Sequence, residues 1–162
     1  MSLPRVAAVV LTYNRWDLIR TCLPTVLAQD WPNLDVRVVD NGSTDGTPEK
    51  LAAEFPGVKV LALPENLGFA GANNAGALWC QDVDYLALIS NDVRLPKDFI
   101  RRLVDVLERT PRAAAAEPQV DNLYLDMTQF PKNGTMSLFH QRSKQLQKPL
   151  HGVGALRYSQ SQ

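Results

Sequence analysis

A chain of 162 residues, 45% of them hydrophobic, can bury one substantial core, and its length fits one domain better than two. Its 17 basic residues balance its 17 acidic ones, leaving no broad positive field to hold a nucleic-acid backbone or an anionic membrane surface. No apolar run approaches the roughly 20 residues of a spanning helix, and Met1–Arg5 lacks the layout of a signal peptide, so a cytoplasmic chain without a transmembrane segment is expected.

The elements follow in chain order. Val6-Ala7-Ala8-Val9-Val10-Leu11 is a short, almost continuous apolar run, the pattern of a central strand covered on both faces. Leu18, Ile19, Cys22, Leu23, Val26 and Leu27 then repeat at helical spacing, with Pro24 expected to kink or shorten that helix. A second strand is expected over Asp35 to Asp40. Thr47-Pro48-Glu49 reads as a helix start with Thr47 as the cap and Pro48 in the first turn, and that helix should stop near Pro56-Gly57. Val58 to Leu63 supplies a third strand, Phe69 to Cys80 a helix rich in small residues, Tyr85 to Ile89 a fourth strand, and Lys97 to Arg109 an amphipathic helix. Cys22 and Cys80, the only cysteines, sit among apolar residues and are expected as buried free thiols.

This β-α-β-α-β-α-β-α alternation predicts a doubly wound, mostly parallel α/β sheet over residues 1–120, with ligands bound at the carboxyl ends of its strands. Residues 121–162, rich in Gln, Lys and Ser, read as an irregular tail, the start of a truncated acceptor region.

All four loops that leave the strands are polar: Thr12-Tyr13-Asn14-Arg15, Asp40 to Thr47, Pro64-Glu65-Asn66-Leu67-Gly68, and Ser90-Asn91-Asp92. The first contains neither the G-x-G-x-x-G turn of a dinucleotide-binding domain nor a Gly-Lys-Ser/Thr phosphate loop, which disfavours NAD and P-loop chemistry. Asn66, Gly68, Gly71 and Asn73 open a helix whose small residues let backbone approach a ligand, and whose free N–H groups favour an anion. The same small residues also suit close packing of that helix on the sheet.

The runs LTYNR, VVDNGSTDGT, NLGFAGANNAG and SNDVRLP, in this order over residues 4 to 120, resemble the family-2 glycosyltransferases of the GT-A fold, in their rhamnosyltransferase-like branch. That resemblance implies transfer of a sugar from a UDP- or dTDP-sugar donor to an acceptor hydroxyl, with inversion at the anomeric carbon. It also implies a role in cell-wall or polysaccharide biosynthesis, with a glycan or lipid-linked acceptor and peripheral association at the inner membrane face. The implied nucleotide-binding residues are Thr12, Tyr13, Asn14, Asp40, Asn41, Ser43, Asn66, Gly68, Asn73 and Asn91. A carboxylate at Asp40 can accept the N3–H of uracil or thymine, whereas cytosine offers an acceptor there. By the same resemblance Asp92 is the metal ligand, holding Mg²⁺ or Mn²⁺ between the donor phosphates. Ser90 stands where the family carries a first acidic residue, so the cation is expected to bind weakly without nucleotide.

An inverting transferase also needs a general base. In the family this lies in a Glu-Asp motif of the second half, and none follows Val120, so the catalytic residue is not assigned. Gly152 to Arg157 is similar to the small-residue stretch before that motif. The alternative to an active enzyme is a nucleotide-sugar-binding module or fragment lacking the base.

Overall fold

The computed structural model describes residues 3–118 and 153–157. Four parallel strands, β1 (Val6–Thr12), β2 (Leu34–Asp40), β3 (Lys59–Ala62) and β4 (Tyr85–Ser90), alternate with helices α1 (Trp16–Leu27), α2 (Thr47–Glu54), α3 (Gly68–Trp79) and α4 (Phe99–Arg109). Two short strands, β5 (Ala115–Ala116) and β6 (Val153–Arg157), complete a sheet of order β3-β2-β1-β4-β6-β5.

The apolar run of β1 is continuous because both its faces are covered. Val6, Ala8 and Val10 join a core with Ile19, Leu23 and Val26 of α1, Leu51 of α2, and Ile100, Leu103 and Leu107 of α4. Ala7 and Val9 turn the other way, into a smaller cluster with Val39 and with Ala72 of α3. Contact there is close: a Cβ on Gly76 would stand 2.9 Å from Val9 Cγ1 and 3.1 Å from Val39 Cγ2. The small residues of α3 therefore do pack the helix onto the sheet. Chain progression runs outward through β2 and β3, then returns to β4 on the far side of β1. The reversal point lies between β1 and β4, where open α/β sheets form their ligand crevice.

Three local expectations are revised. Helix α1 runs on past Pro24 to Leu27. Leu23 and Val26 are fully buried there, and their burial outweighs the hydrogen bond that proline removes. Thr47 is the first residue of α2 rather than its cap. Gly46, at φ 79°, turns the chain so that the Asp45 carboxylate accepts from the Thr47 N–H at 3.0 Å and from its hydroxyl at 2.6 Å. Asp45 is held below its ordinary pKa first by that hydroxyl bond. The third revision concerns residues 121–162. Val153–Arg157 forms a strand antiparallel to β4, pairing Tyr85 with Arg157 through Ile89 with Val153, while the rest of that segment lies outside the described residues.

Cys22 and Cys80 are buried free thiols. No helix among the described residues is long and apolar enough to cross a membrane.

Replacing Gly76 by Val should destabilise the domain by about 2 kcal/mol, because the added methyls overpack against Val9 and Val39. A urea titration should show the midpoint falling with the slope unchanged; an unchanged midpoint would contradict the packing.

Candidate functional site

Parallel pairing sets the strand ends level. Thr12 lies opposite Asp40, Asp40 opposite Ala62, and Leu11 opposite Ser90, so the loops after β1, β2, β3 and β4 leave from one edge. Polar residues at that edge bond first to one another. Thr12 is buried, accepting from Asn91 Nδ2 at 2.8 Å through its hydroxyl and from the Asn41 N–H at 2.9 Å through its carbonyl. The Asn91 bond spans the β1–β4 reversal point.

Asn14 adopts a left-handed conformation, φ 49°, which asparagine tolerates better than most residues. The turn aims both ends of the residue at the loop after β2: its N–H donates to Ser43 Oγ at 2.8 Å, and its Oδ1 accepts from the Thr44 N–H at 2.7 Å. Ser43 in turn donates its N–H to Asp40 Oδ1 at 2.9 Å, a side-chain turn that fixes the carboxylate.

Asn41 joins the loops after β2 and β3. Its Nδ2 donates to Asn66 Oδ1 at 2.9 Å and to the Gly68 carbonyl at 3.3 Å, while its Oδ1 accepts from the Leu67 N–H at 2.9 Å. Asn66 Oδ1 also accepts from the Gly68 N–H at 2.8 Å. Beside this bridge the backbones touch: a Cβ on Gly42, at φ 77°, would fall 2.6 Å from the Glu65 carbonyl carbon. Sequence reasoning singled out Asn41 and missed Gly42. Its only signal was an Asn-Gly turn, which does not reveal what the turn faces.

Three groups at the edge stand apart from this network. Asp40 is 1% exposed, and its Oδ2 is buried without a hydrogen-bond partner. Such an acceptor is costly to leave unmet. Tyr13 is 42% exposed and follows Thr12, which lies opposite Asp40 in the sheet. Asp92 is exposed on the loop after β4. Of the other expected site residues, Asn73 lies one turn inside α3, where its Nδ2 donates to the Phe69 carbonyl at 2.9 Å. Arg15 holds Asp17 by two bonds of 3.0 Å, and its pKa is raised first by that bond, with the charges of Asp17 and Asp92 adding to it.

Among the described residues no three His, Cys, Asp or Glu side chains gather to hold a metal ion. Asp92 alone fits a cation whose remaining ligands come from phosphate and water. A concavity of about 300 Å³ lies elsewhere, at the amino ends of β2 and β3, lined by Leu27, Trp31, Val36, Val58 and Lys59. It lies at the opposite ends of the strands from Thr12, Asp40 and Ser90, and the chemistry-bearing residues outweigh it as a guide to the site.

The family model for glycosyl transferase family 2 matches residues 7–154. The chain belongs to that family. It is 36% identical over 123 residues to the succinoglycan biosynthesis protein ExoO of Rhizobium meliloti, covering 75% of this chain and 34% of that protein. Over 125 residues it is 32% identical to the N-acetylglucosaminyl-diphospho-decaprenol L-rhamnosyltransferase of Mycobacterium tuberculosis, covering 69% of this chain and 40% of the relative. Among solved structures, the mannosyltransferase PcManGT of Pyrobaculum calidifontis, in complex with GDP-Man and Mn²⁺, superposes with a TM-score of 0.60. That match is 33% identical and covers 69% of this chain and 34% of that one. TarS of S. aureus, in complex with UDP-GlcNAc, shares the fold with a TM-score of 0.58 at 23% identity, over 68% of this chain and 33% of its own. The sheet is thus the GT-A type of these transferases, and the chain spans 34% to 40% of the length of the two curated relatives named.

Substituting Gly42 by Ala should cost about 2 kcal/mol or more, since it combines a left-handed backbone with a backbone clash. Thermal unfolding would register the loss, and amide chemical shifts at Glu65 to Gly68 should move; a silent substitution would refute the close approach.

Proposed function

We propose that this chain forms the donor-binding part of an inverting glycosyltransferase, taking a nucleoside diphosphate sugar whose base presents a ring N–H. The observation that carries the reading is the orphaned Asp40 Oδ2 at the carboxyl edge of β2. Its partner oxygen is already held by Ser43, so the carboxylate is oriented with one acceptor left over. That oxygen is stripped of water before any ligand arrives, so a donor reaching it gains nearly the full bond. Seating a base there displaces the atoms that now cover it.

Uracil and thymine present N3–H to such an acceptor, the UDP or dTDP donors expected from the sequence. Guanine presents N1–H, and the Pyrobaculum mannosyltransferase, solved with GDP-Man, supports including it. Cytosine places a lone pair at the same position, opposing two acceptors. The Tyr13 ring is available to pack on the base or ribose. Asn41, Ser43, Asn14, Asn66, Thr12 and Asn91 act by holding the loops in place around these two groups.

Asp92, with Asn91 beside it, would hold Mg²⁺ or Mn²⁺ jointly with the diphosphate. When bound, the cation neutralises charge on the departing nucleoside diphosphate. The acceptor we propose is a hydroxyl of a glycan or lipid-linked saccharide, attacking the anomeric carbon from the face opposite the phosphate.

Calorimetric titration against UDP, dTDP, GDP and CDP tests the base assignment. CDP should bind weakest, and Asp40→Ala should lower the affinity for the preferred nucleotide about tenfold or more, as expected for a lost charge-assisted bond. Equal affinity for CDP, or an unchanged Asp40 variant, would remove Asp40 from the base site. Asp92→Ala should leave metal-free binding intact and abolish the gain on adding Mn²⁺; a variant that keeps the gain would exclude Asp92 as the ligand. Binding without release of nucleoside diphosphate from any sugar donor would favour the binding-module alternative over turnover.

A further inference from the structure

Cys22 and Thr25 of helix α1, and Gln29 just beyond its end, all bond to the loop that bears Asp92. Cys22 Sγ donates to the Ser90 carbonyl at 3.6 Å. Burial pushes this thiol's pKa up to about 11, so it remains a donor. Thr25 Oγ accepts from the Leu95 N–H at 3.1 Å while its own proton goes to the Cys22 carbonyl at 2.7 Å. Gln29 follows: its Nε2 donates to the Pro96 carbonyl at 2.8 Å, and its Oε1 accepts from the Ile100 N–H at 3.0 Å. A backbone bond, Asp30 N–H to the Lys97 carbonyl at 2.9 Å, extends the seam.

These contacts bracket Asp92 on both sides. Before it, Ser90 is fixed to α1 and Asn91 to Thr12; after it, Leu95, Pro96 and Lys97 are fixed to the end of α1. Cys22 and Thr25 lie on one face of α1, spaced i, i+3, and Gln29 lies just past the helix end at Leu27. Thr25 and Gln29, both half-buried, satisfy backbone groups of an irregular loop. Asp92 itself is exposed and has no hydrogen bond or ion pair of its own among the described residues, so its position comes from this seam rather than from contacts of its carboxylate.

We propose that Thr25 and Gln29 are positioning residues that set the height of the Asp92 turn, and thereby the strength of cation binding beside the donor phosphates. This rests on the reading of Asp92 as the cation ligand. The base half of the edge is tied by a different set of bonds, through Asn14, Asn41 and Ser43. Loosening the α1 seam therefore bears most directly on the metal half.

The test uses the whole 162-residue chain, titrated with UDP and with GDP, each with and without Mn²⁺. Thr25→Val keeps the side-chain shape and removes the hydroxyl; Thr25→Ser keeps the hydroxyl. Thr25→Val and Gln29→Ala should each lower the Mn²⁺-dependent gain in nucleotide affinity about fivefold, the equivalent of one net hydrogen bond, with metal-free affinity unchanged. Thr25→Ser should restore the gain. If Asp92→Ala loses the gain while Thr25→Val keeps it in full, the positioning role is overturned and the metal reading stands. A fall in metal-free affinity equal to the fall with Mn²⁺ would also overturn it, since that marks general damage to the fold. A wild-type chain with nucleotide affinity but no Mn²⁺ gain overturns the metal reading and this inference together.

Discussion

The parallel register of three strands governs everything else in this domain. β1 pairs residue for residue with β2 from Val6 opposite Leu34 to Thr12 opposite Asp40, and with β4 from Val6 opposite Tyr85 to Leu11 opposite Ser90. A slip of one residue would exchange the two faces of a strand, sending Val9 into the core of α1 and Val10 under α3. Both faces are buried, so such a slip carries a penalty on each side of the sheet. The register also sets where the loops begin, and Thr12, Asp40 and Ser90 come level because of it. Lateral hydrogen bonding among loops that share no sequence proximity is possible only from that common height.

From this edge the polar residues divide into two kinds. Most of them, Asn14, Asn41, Ser43, Asn66 and Asn91 among them, direct their amides and hydroxyls at neighbouring loops. A few groups are left facing outward or unmet: the second oxygen of Asp40, the ring of Tyr13 and the carboxylate of Asp92. Binding sites commonly rest on such a ratio, in which many residues hold a small number of groups in a productive geometry. On the proposed reading, a base half is tied through the loops after the first three strands and a phosphate half is anchored to α1.

Much of the fold was legible because its signals were local. The apolar run of β1 announced burial on both faces, and the helical spacing of Phe99, Ile100, Leu103, Val104 and Leu107 announced the buried face of α4. Strand β6 was not legible, since Val153–Arg157 joins the sheet antiparallel to the edge of β4, and that vacancy is a property of the assembled sheet. The candidate site was legible in composition but not in which of its side chains turn inward. Four polar loops at strand ends pointed to the edge, yet which side chains turn inward depends on backbone angles such as that of Asn14. Gln29 escaped notice for a similar reason: its role appears only when the end of α1 meets a loop 67 residues later in the chain.

The contact at Gly42 bears on the thermodynamics of ligand capture. With the backbones of two loops in van der Waals contact and Asn41 bonded across them, the loops after β2 and β3 cannot fluctuate independently. Their relative freedom is removed once, when the chain folds, and is not removed again when a nucleotide arrives. The conformational entropy that these two loops would lose relative to one another on binding is correspondingly small. On the proposed reading, what must still move is the cover over Asp40 Oδ2, and the tied loops limit how far that movement spreads.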